Sequence, residues 1–156
     1  MRLKGKSIII TGGGSGIGLA CTKLFSNEGA QITIFGRRQD RLNATVKEFG
    51  SHVLAVAGDL MIDSDLDNLV SKTLNAFGKI DIVVNNGGIF TGSPIHETND
   101  KDWDTIMNTN IRSAFQLTKR VLPHMIERKA GVFIHISSIA GLIAIPGVAA
   151  YNVSKG

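Results

Sequence analysis

A chain of 156 residues that is 43% hydrophobic and 19% charged has the balance of an ordinary globular protein, able to bury roughly 70% of its unfolded surface as one domain. Its net charge is +4, with basic residues scattered or paired with acids, as in Arg37-Arg38-Gln39-Asp40-Arg41, so no nucleic-acid-binding stripe forms. The single cysteine, Cys21, reads as a core residue in a reducing compartment.

Met1 to Lys6 is basic, but the apolar segment after it is too short for a signal-peptide core, and a cytoplasmic protein is expected. Ser7 to Thr11 is a β-branched run that passes directly into Gly12-Gly13-Gly14-Ser15-Gly16-Ile17-Gly18 and then into helical spacing: strand, glycine turn, helix. Cys21 should lie on the inner face of that helix with Ile17, Leu24 and Phe25. Glycines admit positive φ and close approach, and the helix start offers free N–H groups and the positive dipole end, so a pyrophosphate would sit at Gly16 to Gly18. Neither G-x-G-x-x-G nor the P-loop pattern is met; the spacing is T-G-x-x-x-G-I-G, which a plain tight turn could also carry.

Gln31 to Phe35 reads as a second strand, Gln39 to Phe49 as a helix ended by Gly50, and His52 to Ala57 as a third strand. Ser64 with Asp67 is the expected cap of a helix that turns Leu66, Leu69, Val70 and Leu74 inward and closes at Gly78. Ile80 to Val84 is a fourth strand. Asn99 should cap a long helix to about Arg128, bent near Pro123, with a stripe of Trp103, Ile106, Met107, Ala114, Phe115, Leu117, Val121 and Met125. Val132 to Ile136 is a fifth strand. Ala130 to Ser154 carries no charge, but glycines, Pro146 and polar residues interrupt it, so a strand and loop are expected rather than a membrane span. Apolar strands alternating with helices indicate an α/β fold, a doubly wound parallel sheet with helices on both faces.

In such a sheet ligands bind beyond the carboxyl ends of the strands. Where strand two ends, the acid that would take a ribose 2′-hydroxyl is absent and Gly36-Arg37-Arg38 stands instead, which favours a 2′-phosphate, hence NADP over NAD; the bland alternative is a solvated basic turn. Asp59-Leu60 follows strand three and Asn85-Asn86-Gly87-Gly88 follows strand four. Asn110 lies within the long helix's apolar stripe and needs partners there, with Asn108 its rival. Tyr151 and Lys155, four apart, share one helix face, thirteen residues beyond Ser138. A cation beside a phenol favours the phenolate and makes tyrosine a usable general acid or base. The histidines at 52, 96, 124 and 135 have no ligand spacing, and no metal is expected.

These residues resemble the short-chain dehydrogenase/reductase family over residues 6 to 156. Thr11, Gly12, Gly16, Ile17 and Gly18 match its cofactor loop, Asp59-Leu60 its adenine-contacting pair, and Asn85-Asn86-Gly87-Gly88 its Asn-Asn-Ala-Gly, with Gly87 in place of alanine. The resemblance implies a Rossmann-like fold and cofactor contacts from Gly12, Ser15, Gly16, Ile17, Gly18, Arg37, Asp59, Leu60, Asn86, Tyr151 and Lys155. It also implies four catalytic residues. Asn110 would anchor a water in a proton relay to Lys155; Ser138, with Ser137 its alternate, would bond the substrate oxygen; Tyr151 would move the proton; Lys155 would tune it and hold the ribose. The spacing is close to that of 3-oxoacyl carrier-protein reductases, but many members share it, so the substrate stays a small carbonyl or alcohol compound, with a homodimer or homotetramer as the assembly. The family has further strands and helices after the Tyr-Lys helix. Residues 1 to 156 thus read as one NAD(P)-binding domain, truncated after the fifth strand, with Lys155 poorly anchored and turnover by itself not expected; the alternative reading is a non-catalytic nucleotide-binding fragment or regulatory domain.

Overall fold

A computed structural model describes residues 1–156. Five strands form one sheet in the order β3-β2-β1-β4-β5, every pair parallel. They are β1 (Ser7–Thr11), β2 (Gln31–Gly36), β3 (Val53–Ala57), β4 (Ile82–Asn85) and β5 (Val132–His135). Between them run α1 (Gly16–Asn27), α2 (Gln39–Phe49), α3 (Asp63–Phe77), α4 (Asp100–Met107) and α5 (Ser113–Glu127), and α6 (Ala149–Lys155) closes the chain. The strand order reverses between β1 and β4, the switch point where a ligand crevice opens.

Every residue of β1 is buried, and its alternation divides the core. Ile9 points into a layer with Leu66, Leu69 and Val70 of α3 and Leu117, Val121 and Met125 of α5. Ile8 and Ile10 point to the opposite layer, with Leu42 of α2 and, half-buried, Cys21 and Phe25 of α1. Each fully buried aliphatic side chain among these contributes about 1.5–3 kcal/mol by leaving water. β5 forms one edge of the sheet, with Val132 and Ile134 exposed. No helix is long and apolar enough to cross a membrane, and Ala130 to Ser154 divides into β5, a loop and α6.

Four expectations are corrected. Ile17 and Leu24 of α1 are exposed, while Gly18 and Thr22 face inward. Backbone contact, not apolar area, decides that face: a Cβ on Gly18 would run into the Gly12 carbonyl and the Asn86 amide, and Thr22 Oγ1 donates to Gly18 O at 2.9 Å. The cap of α3 is Ile62, without a side-chain bond, and Asp63 and Asp65 in the first turn complement the helix dipole in place of Ser64. The expected long helix is interrupted by a π-helical turn, Asn108–Arg112, and Pro123 sits inside α5 beyond it. Phe115 lies two residues from the buried Ser113 and Leu117, about 200° around the helix, and is exposed. The Asn99 cap holds, accepting from the Asp102 N–H at 2.9 Å.

At the amino ends of the strands, the buried Asp81, just before β4, ties together Ser7 of β1, Lys79 and Arg128 at the end of α5. Its carboxylate accepts from the Ser7 N–H at 2.9 Å and pairs with Lys79 at 3.2 Å and Arg128 at 2.5 Å. Burial pushes its pKa up, but the Ser7 N–H, the bond and charge of Lys79 and the charge of Arg128 outweigh it, so the carboxyl lies below its ordinary value. A depressed carboxylate contributes stability above its unfolded pKa and loses it as pH falls through the folded one. Asp81→Asn should therefore cost roughly 3 kcal/mol at neutral pH by urea denaturation, and the difference should shrink as pH falls below the ordinary carboxylate range. A pH-independent difference would contradict this.

Candidate active site

The glycine turn and the loop after β4 meet at the carboxyl edge. Thr11 Oγ1, at the end of β1, accepts from the Asn86 and Gly87 N–H groups at 3.0 and 2.8 Å, and Asn86 Nδ2 donates back to Thr11 O at 2.9 Å. Gly12 has φ of +68°, and a Cβ there would stand 2.8 Å from Asn86 Nδ2. The Asn86 side chain therefore braces the glycine turn, while Gly87, Gly88 and Ile89 line the adjoining cleft. Gly87 stands where the family pattern has alanine; a Cβ there would meet the terminal methyl of Leu60 at 2.6 Å, a side chain that can turn away.

This cleft, of about 410 Å³, runs from the glycine turn to the ends of β2 and β3. Gly16, with φ of +53°, opens α1 behind Ser15, and no acid in the first turn competes for an anion. Arg37 and Arg38 of the expected basic turn line the cleft, together with Arg41, whose part in the site the sequence did not show. Arg38 donates to Ser15 Oγ at 3.3 Å, joining the basic turn to the glycine turn. Asp59 and Leu60 line the same cleft; the Asp59 carboxylate accepts from the Met61 N–H at 2.9 Å.

Asn110 stands within the π turn, where one extra residue per turn is a device found at functional sites. Its amide clamps Ile89, accepting from the N–H at 2.8 Å and donating to the carbonyl at 3.0 Å, and also donates to Ser154 Oγ at 2.9 Å. Gly88 faces this group: a Cβ on it would lie 3.0 Å from Asn110 Oδ1 and 3.8 Å from Lys155 Nζ. Lys155 is firmly held, contrary to expectation. Its Nζ donates to Ile136 O at 2.8 Å, its carbonyl accepts from Ser137 Oγ at 2.6 Å, and side-chain-free Gly141 abuts that carbonyl. Burial holds its ammonium below the ordinary lysine pKa.

Lys155 Nζ lies 5.8 Å from the centroid of the Tyr151 ring, within cation–π range. Phe90 meets that ring edge-on at 4.9 Å, a contact with no sequence signal. Ser138 Oγ accepts from the Ala140 N–H at 3.2 Å, capping a 3₁₀ turn, whereas the Ser137 hydroxyl is engaged with α6. A second cavity, of about 490 Å³, opens behind these residues, with Asn110, Ser154 and Lys155 in its wall. The histidines keep local partners: His52 meets Ser26 at 2.5 Å and His135 meets Asn85 at 3.4 Å.

The short chain dehydrogenase family model matches residues 6–156. An uncharacterized oxidoreductase of Thermotoga maritima is 37% identical over 99% of this chain and 62% of its own length. The 3-oxoacyl-acyl-carrier-protein reductase of the same organism is 35% identical over 99% of this chain and 64% of its own. A solved structure, the closed form of serine dehydrogenase complexed with NADP+, superposes with a TM-score of 0.91 at 31% identity, covering 96% of this chain and 60% of that one. The chain thus spans less than two thirds of the length of these relatives, 62% and 64% of the two curated ones. With the family match running from Lys6 to the last residue, over a doubly wound parallel sheet with its crevice at the β1/β4 switch point, this chain belongs to the short chain dehydrogenase family.

Proposed function

We propose that this chain carries the cofactor cleft and the reactive residues of an NADP-dependent oxidoreductase that moves a hydride between nicotinamide and a ketone or secondary alcohol. The observation that carries the reading is a cleft with Arg37, Arg38 and Arg41 at its rim that shares Gly87 with a second cavity walled by Asn110 and Lys155. The residues fit such a cofactor: a turn lacking side chains at a helix start suits a pyrophosphate, and the arginines suit a 2′-phosphate through charge-assisted, forked bonds. The neighbouring serine dehydrogenase structure with NADP+ supports the same choice.

When bound, the nicotinamide supplies or accepts the hydride. Tyr151 gives its proton to the carbonyl oxygen, or takes one from the alcohol, and Ser138 bonds the same oxygen and steadies the charge that develops there. Lys155 holds a positive charge beside the Tyr151 ring, and Asn110 holds Ile89 and the wall of the cavity through which a proton is replenished. Phe115, Leu122 and Ile126 leave an exposed apolar stripe on α5, which supports a homo-oligomer built on that helix.

Arg37→Ala should weaken NADPH binding about 10- to 100-fold in a fluorescence titration and leave NADH nearly unchanged; equal or tighter NADH binding by the unmodified chain would refute the cofactor choice. In the protein that turns over, Tyr151→Phe should lower kcat by roughly a hundredfold or more at nearly constant cofactor affinity, and retained turnover would remove the role. Because burial depresses the Lys155 pKa, its cation disappears at a pH below that of a free lysine. NADPH affinity should fall across that alkaline range and be flat there in Lys155→Met; identical profiles would contradict a Lys155 contact.

A further inference from the structure

We infer that Ser154 is a positioning residue that sets the spacing between the helix bearing Tyr151 and the loop bearing Gly88 to Phe90. The inference rests on the reading of Tyr151 as the proton donor. Ser154 is 9% exposed, on the inward face of α6 with Ala150. Its hydroxyl donates to the Tyr151 carbonyl at 2.9 Å and accepts from Asn110 Nδ2 at 2.9 Å. A serine bonding a nearby carbonyl of its own helix is commonplace. The Asn110 amide, arriving from another element onto the same oxygen, is not, and the donated proton makes that oxygen a better acceptor.

A helix of seven residues with no side-chain cap cannot hold its own place. Its far end is held by Ser137 and Ile136, and its flank by Asn152, whose amide donates to Ile145 O at 2.9 Å. Those ties run to the segment after β5. Toward the loop after β4, the polar tie from α6 is Ser154 to Asn110, and Asn110 in turn grips both backbone groups of Ile89. One hydrogen-bonded path therefore runs from the Tyr151 carbonyl to Ile89, whose neighbours are Gly88, facing Lys155, and Phe90, edge-on to Tyr151. Ser154→Ala removes the link while leaving both Ile89 bonds and improving helix propensity.

Tyr151 is the chain's one tyrosine, so its ring signals report this spacing alone in the NMR spectrum of the 156-residue chain. The Phe90–Tyr151 ring contacts should be present in the unmodified chain and lost or strongly weakened in Ser154→Ala. Asn110→Ala should lose them too, and the double variant should lose no more, as expected for residues acting in one path. In the protein that turns over, Ser154→Ala should lower kcat about tenfold, with NADPH affinity within twofold. Ser154→Cys, a similar volume with a weaker donor and acceptor, should fall between and serves alone if the alanine variant does not fold. Unchanged ring contacts overturn the inference, and so does their loss with kcat within twofold of the unmodified protein. A Tyr151→Phe variant that keeps its turnover would instead refute the proton-donor reading, and the ring contacts would still decide whether Ser154 sets the spacing.

Discussion

The carboxyl edges of β1 and β4 are knotted together by Thr11 and Asn86, and the rest of the site depends on that knot. One threonine hydroxyl accepts two N–H groups of the opposing loop while the asparagine amide returns a bond to the threonine carbonyl. Buried backbone groups at a parallel sheet's edge must find partners, and here they do so by drawing two loops into contact. That contact forbids a side chain at Gly18, where a Cβ would strike the Gly12 carbonyl, and Gly12 adds a positive φ. The cleft is the space these glycines leave open.

A second constraint works across the sheet rather than along it. Asn110 reaches Ile89 and Ser154 together because the π turn gives its stretch one residue more than an α-helix would. Asn110, Tyr151 and Lys155 thereby sit on elements that are individually short but mutually bonded. Lys155 is the clearest example: burial disfavours its charge, yet the Ile136 carbonyl receives its ammonium and the Ser137 hydroxyl and bare Gly141 secure its backbone. With Arg37, Arg38 and Arg41 lining the cleft and Lys155 the neighbouring cavity, positive charge stands on both sides of Gly87.

Much of this was legible in the residues. Ser7 to Thr11 and Gln31 to Phe35 are rich in β-branched residues around Ile8 to Ile10 and Ile32 to Ile34, as a doubly covered parallel strand requires, and their ends fell within two residues of the observed strands. α2 was legible because Gly50 stops it, and α4 because Asn99 caps it. What escaped was set by contact between distant elements. The inner face of α1 follows a backbone approach at Gly18, so its apolar Ile17 and Leu24 misled. The π turn inserts a residue without altering the apolar spacing enough to betray itself. Arg41, Phe90 and Ser154 acquire meaning only once loops far apart in sequence are brought together.

The arginine rim, the glycine turn and Lys155 are proposed to serve one cofactor across the cleft and the cavity that meet at Gly87. A chemical-shift map of the 156-residue chain titrated with NADP+ tests this proposal directly. Saturable shifts are expected at Ser15, Arg37, Arg38, Gly88, Ile89 and Lys155, titrating together with one dissociation constant. Shifts confined to one side of Gly87, or absent from both Lys155 and the arginines at saturation, would contradict it.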